Sequence, residues 1–149
     1  MLIVNYFELD DKLYWLNKIS ESNWGASTFL VDIIKNNTIF QLLGDSTKLL
    51  LLIDNNDLIY FCTLSDFDDV QPTTLSPWIG FVYTFKKYRG YRYSNLLIEE
   101  CLKILKDQGK NEVFISTNHI GLYEKYNFEF LQIAKDISNE DTRIYRRCF

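Results

Sequence analysis

One histidine, two prolines, six glycines and three cysteines are spread over 149 residues, and each scarcity closes a route. A zinc site built on imidazole would need His119 and distant cysteines to converge, so no metal is expected. Cys62, Cys101 and Cys148 are odd in number and share no short spacing. Cys62 and Cys101 lie inside apolar periodic segments, which predicts reduced thiols in a cytoplasmic protein rather than a disulfide framework. The longest purely aliphatic stretch, Leu49 to Ile53, is far short of the ~20 residues that cross a bilayer. The N-terminus has no basic region, and Asp10 and Asp11 arrive before an apolar run reaches signal-peptide length. A net charge of -4 and a pI near 5.0 disfavour nucleic acid and anionic membranes as partners. No repeat, linker or low-complexity tract marks a boundary, so residues 1–149 are expected to form a single domain.

What the chain does have is apolar and aromatic side chains in quantity, 47% and 16% of residues, enough for one continuous core. A strand is predicted over Leu2 to Phe7 and a helix over Asp11 to Ile19. A second helix is predicted after Ser22 or Asn23, either of which suits an N-cap, turning Phe29, Leu30, Ile33 and Ile34 inward. Lys48 to Asp54 and Leu58 to Leu64 flank Asn55-Asn56-Asp57 and read as a hairpin. An acidic loop follows, and Asp66, Asp68 and Asp69 in it are expected to be solvated, or, if they border a site, to draw in a cation or help remove its proton through water. Trp78 to Phe85 has the β-branched and aromatic content of a strand. Arg92 to Gln108 is the clearest helix, with Leu97, Cys101 and Ile104 on one face, Ile98, Leu102 and Leu105 widening it, and Gly109 at its C-terminal end. Strand Glu112 to Ser116, a short helix over Gly121 to Tyr126, and strands near Phe128 to Ile133 and Thr142 to Arg147 complete a mixed α/β order of the α+β type.

Two segments carry chemistry. Lys86-Lys87-Tyr88-Arg89-Gly90-Tyr91-Arg92-Tyr93-Ser94 places four basic residues and no acid between a strand and a helix of an acidic protein. Unpaired backbone N–H groups and the positive end of the helix dipole meet there, which makes a phosphate cradle. A solvated basic turn is the plain alternative. The second segment is Thr117-Asn118-His119-Ile120-Gly121-Leu122-Tyr123-Glu124-Lys125-Tyr126-Asn127-Phe128. Asn127 there suits a left-handed turn after a short helix.

The first segment resembles the acetyl-CoA-binding motif of the GNAT N-acetyltransferase superfamily, Arg/Gln-x-x-Gly-x-Gly/Ala, with Arg89 in first position. Arg92 then stands in place of the internal glycine and Ser94 in place of the terminal glycine or alanine. The second resembles the family's closing signature, in which Leu-Tyr-Glu-Lys precedes Gly-Phe; Asn127 replaces that glycine. The resemblance implies a central, mostly antiparallel mixed sheet flanked by helices, whose fourth and fifth strands splay to admit the pantetheine arm. It implies that Val82, Tyr83 and Thr84 face that arm, and that Arg89, Gly90, Tyr91, Arg92, Tyr93 and Ser94 hold the pyrophosphate. Asn118 is the implied contact from the following loop, and Tyr123 the implied general acid for the leaving thiolate. Arg92 can add a charge-assisted contact to phosphate, and Ser94 can cap the helix or donate its hydroxyl. His119 is expected in a loop or cap role, since no carboxylate partner is evident.

The implied function is transfer of acetyl from acetyl-CoA to a primary amine of a small molecule or peptide, in a ternary complex, by a monomer or homodimer. The competing class is a non-catalytic acyl-CoA-binding sensor or interaction module. A nucleotide-binding protein is disfavoured, because neither a P-loop nor a three-glycine fingerprint is present.

Overall fold

The computed structural model describes residues 1–149. Seven strands form one sheet in the order β1-β2-β3-β4-β5-β7-β6. The strands are β1 (Leu2–Asn5), β2 (Lys48–Asp54), β3 (Asp57–Ser65), β4 (Trp78–Thr84), β5 (Glu112–Thr117), β6 (Glu129–Lys135) and β7 (Asp141–Cys148). Every neighbouring pair is antiparallel except β4 and β5. The expected α+β arrangement of a mostly antiparallel mixed sheet flanked by helices is what forms.

Four helices cover the sheet: α1 (Lys12–Ser20), α2 (Gly25–Lys35), α3 (Ile39–Leu43) and α4 (Tyr93–Asp107). α4 buries Leu97, Ile98, Cys101, Leu102 and Leu105 against Leu50, Leu52, Tyr60, Cys62 and Ile79 on one sheet face. Full burial of each such aliphatic side chain contributes roughly 1.5–3 kcal/mol, which is why the 3.6-residue apolar spacing fixes this helix. The opposite face packs Leu49, Leu51 and Phe61 under α1 and α2 through Trp15, Ile19, Leu30 and Ile33. A third, smaller cluster joins Val70, Trp78, Phe114 and Ile144 on that side, toward β7. No helix is long and apolar enough to cross a membrane.

Several local expectations are corrected. β1 ends at Asn5, and Tyr6–Glu8 winds into a 3₁₀ turn whose Phe7 N–H is accepted by the Asn5 side chain. α2 is entered through Trp24, with no side-chain cap from Ser22 or Asn23. Phe29 faces outward, 44% exposed, because its partner is the half-buried ring of Phe81, 6.2 Å away. α3 had no counterpart in the sequence reading, its five residues being too short for a periodic signal. The Gly121 to Tyr126 segment is helical only over Tyr123–Tyr126, as a 3₁₀ turn closed by Asn127 at φ 65°.

Candidate active site

β4 and β5 share just two residue pairs, Trp78 with Phe114 and Ile79 with Ile115. Beyond Ile79 the two strands separate, and β4 continues alone on that edge through Gly80 to Thr84. On its other edge β4 carries one residue more than β3 across the stretch where Phe61 opposes Tyr83 and Thr63 opposes Gly80. That extra residue is a β-bulge, with Phe81 held at φ 47°. A bulge in a strand re-aims backbone groups and ends regular pairing, and this one falls where β4 has left β5.

Val82, Tyr83 and Thr84 line this free stretch, all partly exposed. Val82 packs toward the α4 face. The Tyr83 ring turns the other way: it stacks on Trp24 and Phe61, and its hydroxyl donates to the Ser22 carbonyl at 3.0 Å. Only its backbone is offered to the fork. The Thr84 carbonyl already accepts from Arg89 Nε at 3.0 Å, and the Arg89 guanidinium lies 5.4 Å over the Tyr83 ring. Arg89 thereby braces the end of β4 against the turn.

The turn from Lys86 to Arg92 is exposed apart from half-buried Tyr88. Gly90 takes φ 89°, and Arg92 takes φ 59° and ψ 27° immediately before α4, with no side-chain cap. Arg92, which stands where the motif has its internal glycine, is thus left-handed, a conformation that an arginine adopts at a steric cost. The first turn of α4 has no side-chain cap, and its Asn95 N–H is accepted by the Arg92 carbonyl at 3.1 Å. Lys87 is turned to Asp57, at 3.8 Å, and Tyr91 and Tyr93 stack at 5.7 Å where the helix begins. Ser94 is no cap: its hydroxyl is 2.7 Å from that of Tyr126, tying the first turn of α4 to the 3₁₀ turn of the second signature.

Tyr123 lies in that 3₁₀ turn, its ring 4% exposed and packed on Phe128 and Tyr145 at centroid distances of 5.9 and 6.5 Å. No protein group pairs with its hydroxyl, yet the oxygen is not among the fully sealed, unpartnered atoms. Burial first, then neighbouring Cys62 and Tyr126, raises its pKa well above the usual phenol value. The phenol therefore stays protonated and can donate. Asn118 is exposed at the end of β5, and His119 is also exposed, its N–H accepted by Thr117 Oγ1 and its carbonyl accepting from the Tyr145 hydroxyl. The link the structure makes between the two segments is the Ser94–Tyr126 contact, which ties the start of α4 to the turn that carries Tyr123; Asn118 and His119 lie exposed in the loop after β5.

The acidic loop departs from expectation. Asp66 and Asp69 are half-buried and Asp68 is only 9% exposed, because Asp68 enters the space left by the absent side chain of Gly80. An isolated glycine between Ile79 and Phe81 in a strand of bulky residues was the available sequence signal for such a close approach. Thr63 and Ser116, which border the same spot, carried none.

A family model described as the acetyltransferase (GNAT) family matches residues 10–128. The chain belongs to the GNAT acetyltransferase family. Among solved structures it is similar to an aminoglycoside 6'-N-acetyltransferase complexed with coenzyme A, at 11% identity and TM-score 0.70, over 99% of this chain and 97% of that one. It is also similar to an acetyltransferase from Streptococcus agalactiae at 16% identity and TM-score 0.69, over 99% and 98%. A GNAT family acetyltransferase from Elizabethkingia anophelis with acetyl-CoA bound aligns at 16% identity and TM-score 0.54, over 70% of this chain and 77% of that one. No curated protein sequence matches the chain.

Proposed function

We propose that this GNAT acetyltransferase moves the acetyl group of acetyl-CoA onto a primary amine by direct attack within a ternary complex. It acts as a single cytoplasmic domain, monomeric or homodimeric. The observation that carries the reading is the fork after Ile79 and Ile115, where β4 runs on as a bulged free strand and leads through the basic turn into α4. Pantetheine enters the fork along Val82 to Thr84, and a bulge N–H polarises the thioester carbonyl as an oxyanion donor. The pyrophosphate sits at the uncapped N-terminus of α4, by Arg92 and Gly90, with Tyr91, Tyr93 and Ser94 completing the turn. Arg89 holds that turn in place. Asn118 contacts the pantetheine from the rim.

In this mechanism the amine nitrogen bonds to the carbonyl carbon, the carbon–sulfur bond breaks, and the thiolate receives a proton. Tyr123 supplies a hydrogen bond to that sulfur. Its raised pKa makes it a persistent donor rather than a strong acid. The acceptor is a small amine or a peptide amine. Aminoglycosides belong in the test panel because a structurally similar enzyme bears that name.

The test is a thermal shift with acetyl-CoA, free CoA and ATP, followed by CoA release over polyamines, aminoglycosides, lysine peptides and N-terminal peptides. A larger shift with acetyl-CoA than with ATP is expected, since a ligand that binds only the native state stabilises it by mass action. Absence of a shift at saturating acetyl-CoA in a folded sample overturns the cofactor assignment. A shift without CoA release from any amine identifies a binding module.

A further inference from the structure

We propose that Asp68, with Asp69 beside it, is the base that takes the proton from the acceptor ammonium at the β4–β5 fork. The inference rests on the acetyl-transfer reading above. Asp68 Oδ1 occupies the position of a Gly80 Cβ, and Thr63 Oγ1 is 3.1 Å from that same point. Gly80 is the first residue of β4 beyond its last pairing with β5, and Ser116, beside which Asp69 lies, is the corresponding residue of β5. The two carboxyls straddle the crotch of the fork, one residue from the bulge at Phe81 that polarises the thioester.

Asp68 Oδ1, Asp69 Oδ1 and Thr63 Oγ1 are each sealed from bulk solvent without a hydrogen-bond partner; Asp68 Oδ1 and Thr63 Oγ1 both border the Gly80 position, while the Asp69 carboxyl reaches the side chains of Asp68 and Ser116. Thr63 is completely buried. Buried polar atoms without partners are rare and costly, and a bound ammonium, with its three donors, satisfies an array of this kind. The loop that carries the acids is firmly held. The Asp69 carbonyl accepts from Ile137 N–H at 2.7 Å, the Asp68 carbonyl from Gln71 at 2.7 Å, and the Asp66 carbonyl from Ser76 at 2.9 Å. The pair sits on the sheet face opposite α4, because Gly80 alternates with Ile79, and Ser116 with Ile115, whose side chains pack under that helix. Cofactor turn and base therefore lie on opposite sides of the fork.

Burial, followed by the charge of Asp69, raises the pKa of Asp68 to about 8. Burial and the charge of Asp136 raise that of Asp69. Asp69, on the same loop, and Asp136, after β6, are the charged groups that face the pair, and no cation is paired with either carboxylate. A base with a pKa near the operating pH is well matched to proton abstraction. Asp68 carboxylate accepts one proton from the ammonium. The free amine then attacks, the C–N bond forms and the C–S bond breaks. The second nitrogen proton ends on the sulfur, leaving the amide, CoA thiol and protonated Asp68, which returns its proton to water.

The experiment compares wild type and Asp68→Asn on two acceptors: an alkylamine with a pKa near 10, and an amine with a pKa below 6 that is already neutral at pH 7.5. Acetyl-CoA thermal shifts run alongside. The expected result is a kcat loss of about 10²-fold for the alkylamine, only a few-fold for the neutral amine, and an unchanged acetyl-CoA shift. Equal losses on both amines, or none on the alkylamine with the shift intact, overturn the assignment to Asp68. Loss of the shift in wild type would instead remove the acetyl-transfer reading itself. If Asp68→Asn fails to fold, Asp69→Asn decides: with that charge gone, the acidic limb of kcat/KM for one fixed acceptor moves to lower pH, and an unmoved limb refutes the pair.

Discussion

Arg92→Gly should raise stability and weaken cofactor binding at once, because the same residue carries a backbone cost and a charge. At φ 59° and ψ 27° Arg92 is left-handed, where an L side chain costs about 1–2 kcal/mol. Glycine removes that cost but adds roughly 0.4–1 kcal/mol of chain entropy to the unfolded state. The balance is a gain of about 0.5–1 kcal/mol. For a chain of this length, each kcal/mol moves Tm by roughly 2–4 °C, so Tm should rise by about 1–4 °C. The guanidinium is exposed and its attraction to phosphate is screened, so the loss of affinity is about 1 kcal/mol, near five-fold in Kd. Differential scanning fluorimetry gives the first quantity and calorimetric titration of acetyl-CoA the second. Arg92→Lys, which keeps both the charge and the left-handed side chain, should move neither much. The affinity loss should shrink in high salt, since exposed charges are screened over a Debye length of ~10 Å at 0.1 M. A Tm that falls in Arg92→Gly, or an unchanged Kd at low salt, would refute the reasoning.

Tyr123→Phe should lower turnover by about 10²-fold, the usual cost of losing one preorganised hydrogen-bond donor to a developing charge, while leaving Tm nearly unchanged, because no protein group pairs with the hydroxyl that is lost; unchanged turnover with chemistry rate-limiting removes Tyr123 from the mechanism. Asp68 also gives stability a pH signature. Its folded pKa of about 8 lies above the unfolded value of 3.8, so the native state holds a proton that the unfolded chain releases. Its contribution is complete below about pH 4, declines as pH rises to 8 and is gone above that. Asp68→Asn should therefore gain on wild type in urea midpoint between pH 5 and pH 8.5, and parallel pH profiles would contradict the buried protonated state.

Long, strongly patterned elements were legible in the sequence. The α4 face from Leu97 to Leu105, the β2–β3 hairpin around Asn55 and Asn56, and the left-handed turn at Asn127 all follow from local chemistry: side-chain period, turn residues and backbone sterics. The basic turn was legible too, because charge and its place between a strand and a helix are local facts. Elements whose cause lies elsewhere in the chain were less so. Phe29 points outward only because Phe81 is there to meet it, and α3 is held by its surroundings rather than by periodicity.

For the candidate site, the sequence by itself determined the residue types: a basic glycine turn, a tyrosine ahead of Glu-Lys, and three acids in one loop. The tertiary structure alone decided their relations. Asp68 reads as a solvated loop acid until β3, β4 and β5 pair and Gly80 opens a space for its carboxyl, and Ser94 reads as a cap until Tyr126 meets it. Both outcomes turn on contacts between residues 12 and 32 positions apart, which short-range side-chain patterns do not encode. The fork itself has the same origin, since the two-pair ladder between Trp78–Ile79 and Phe114–Ile115 exists only once α4 has carried the chain from β4 back to β5.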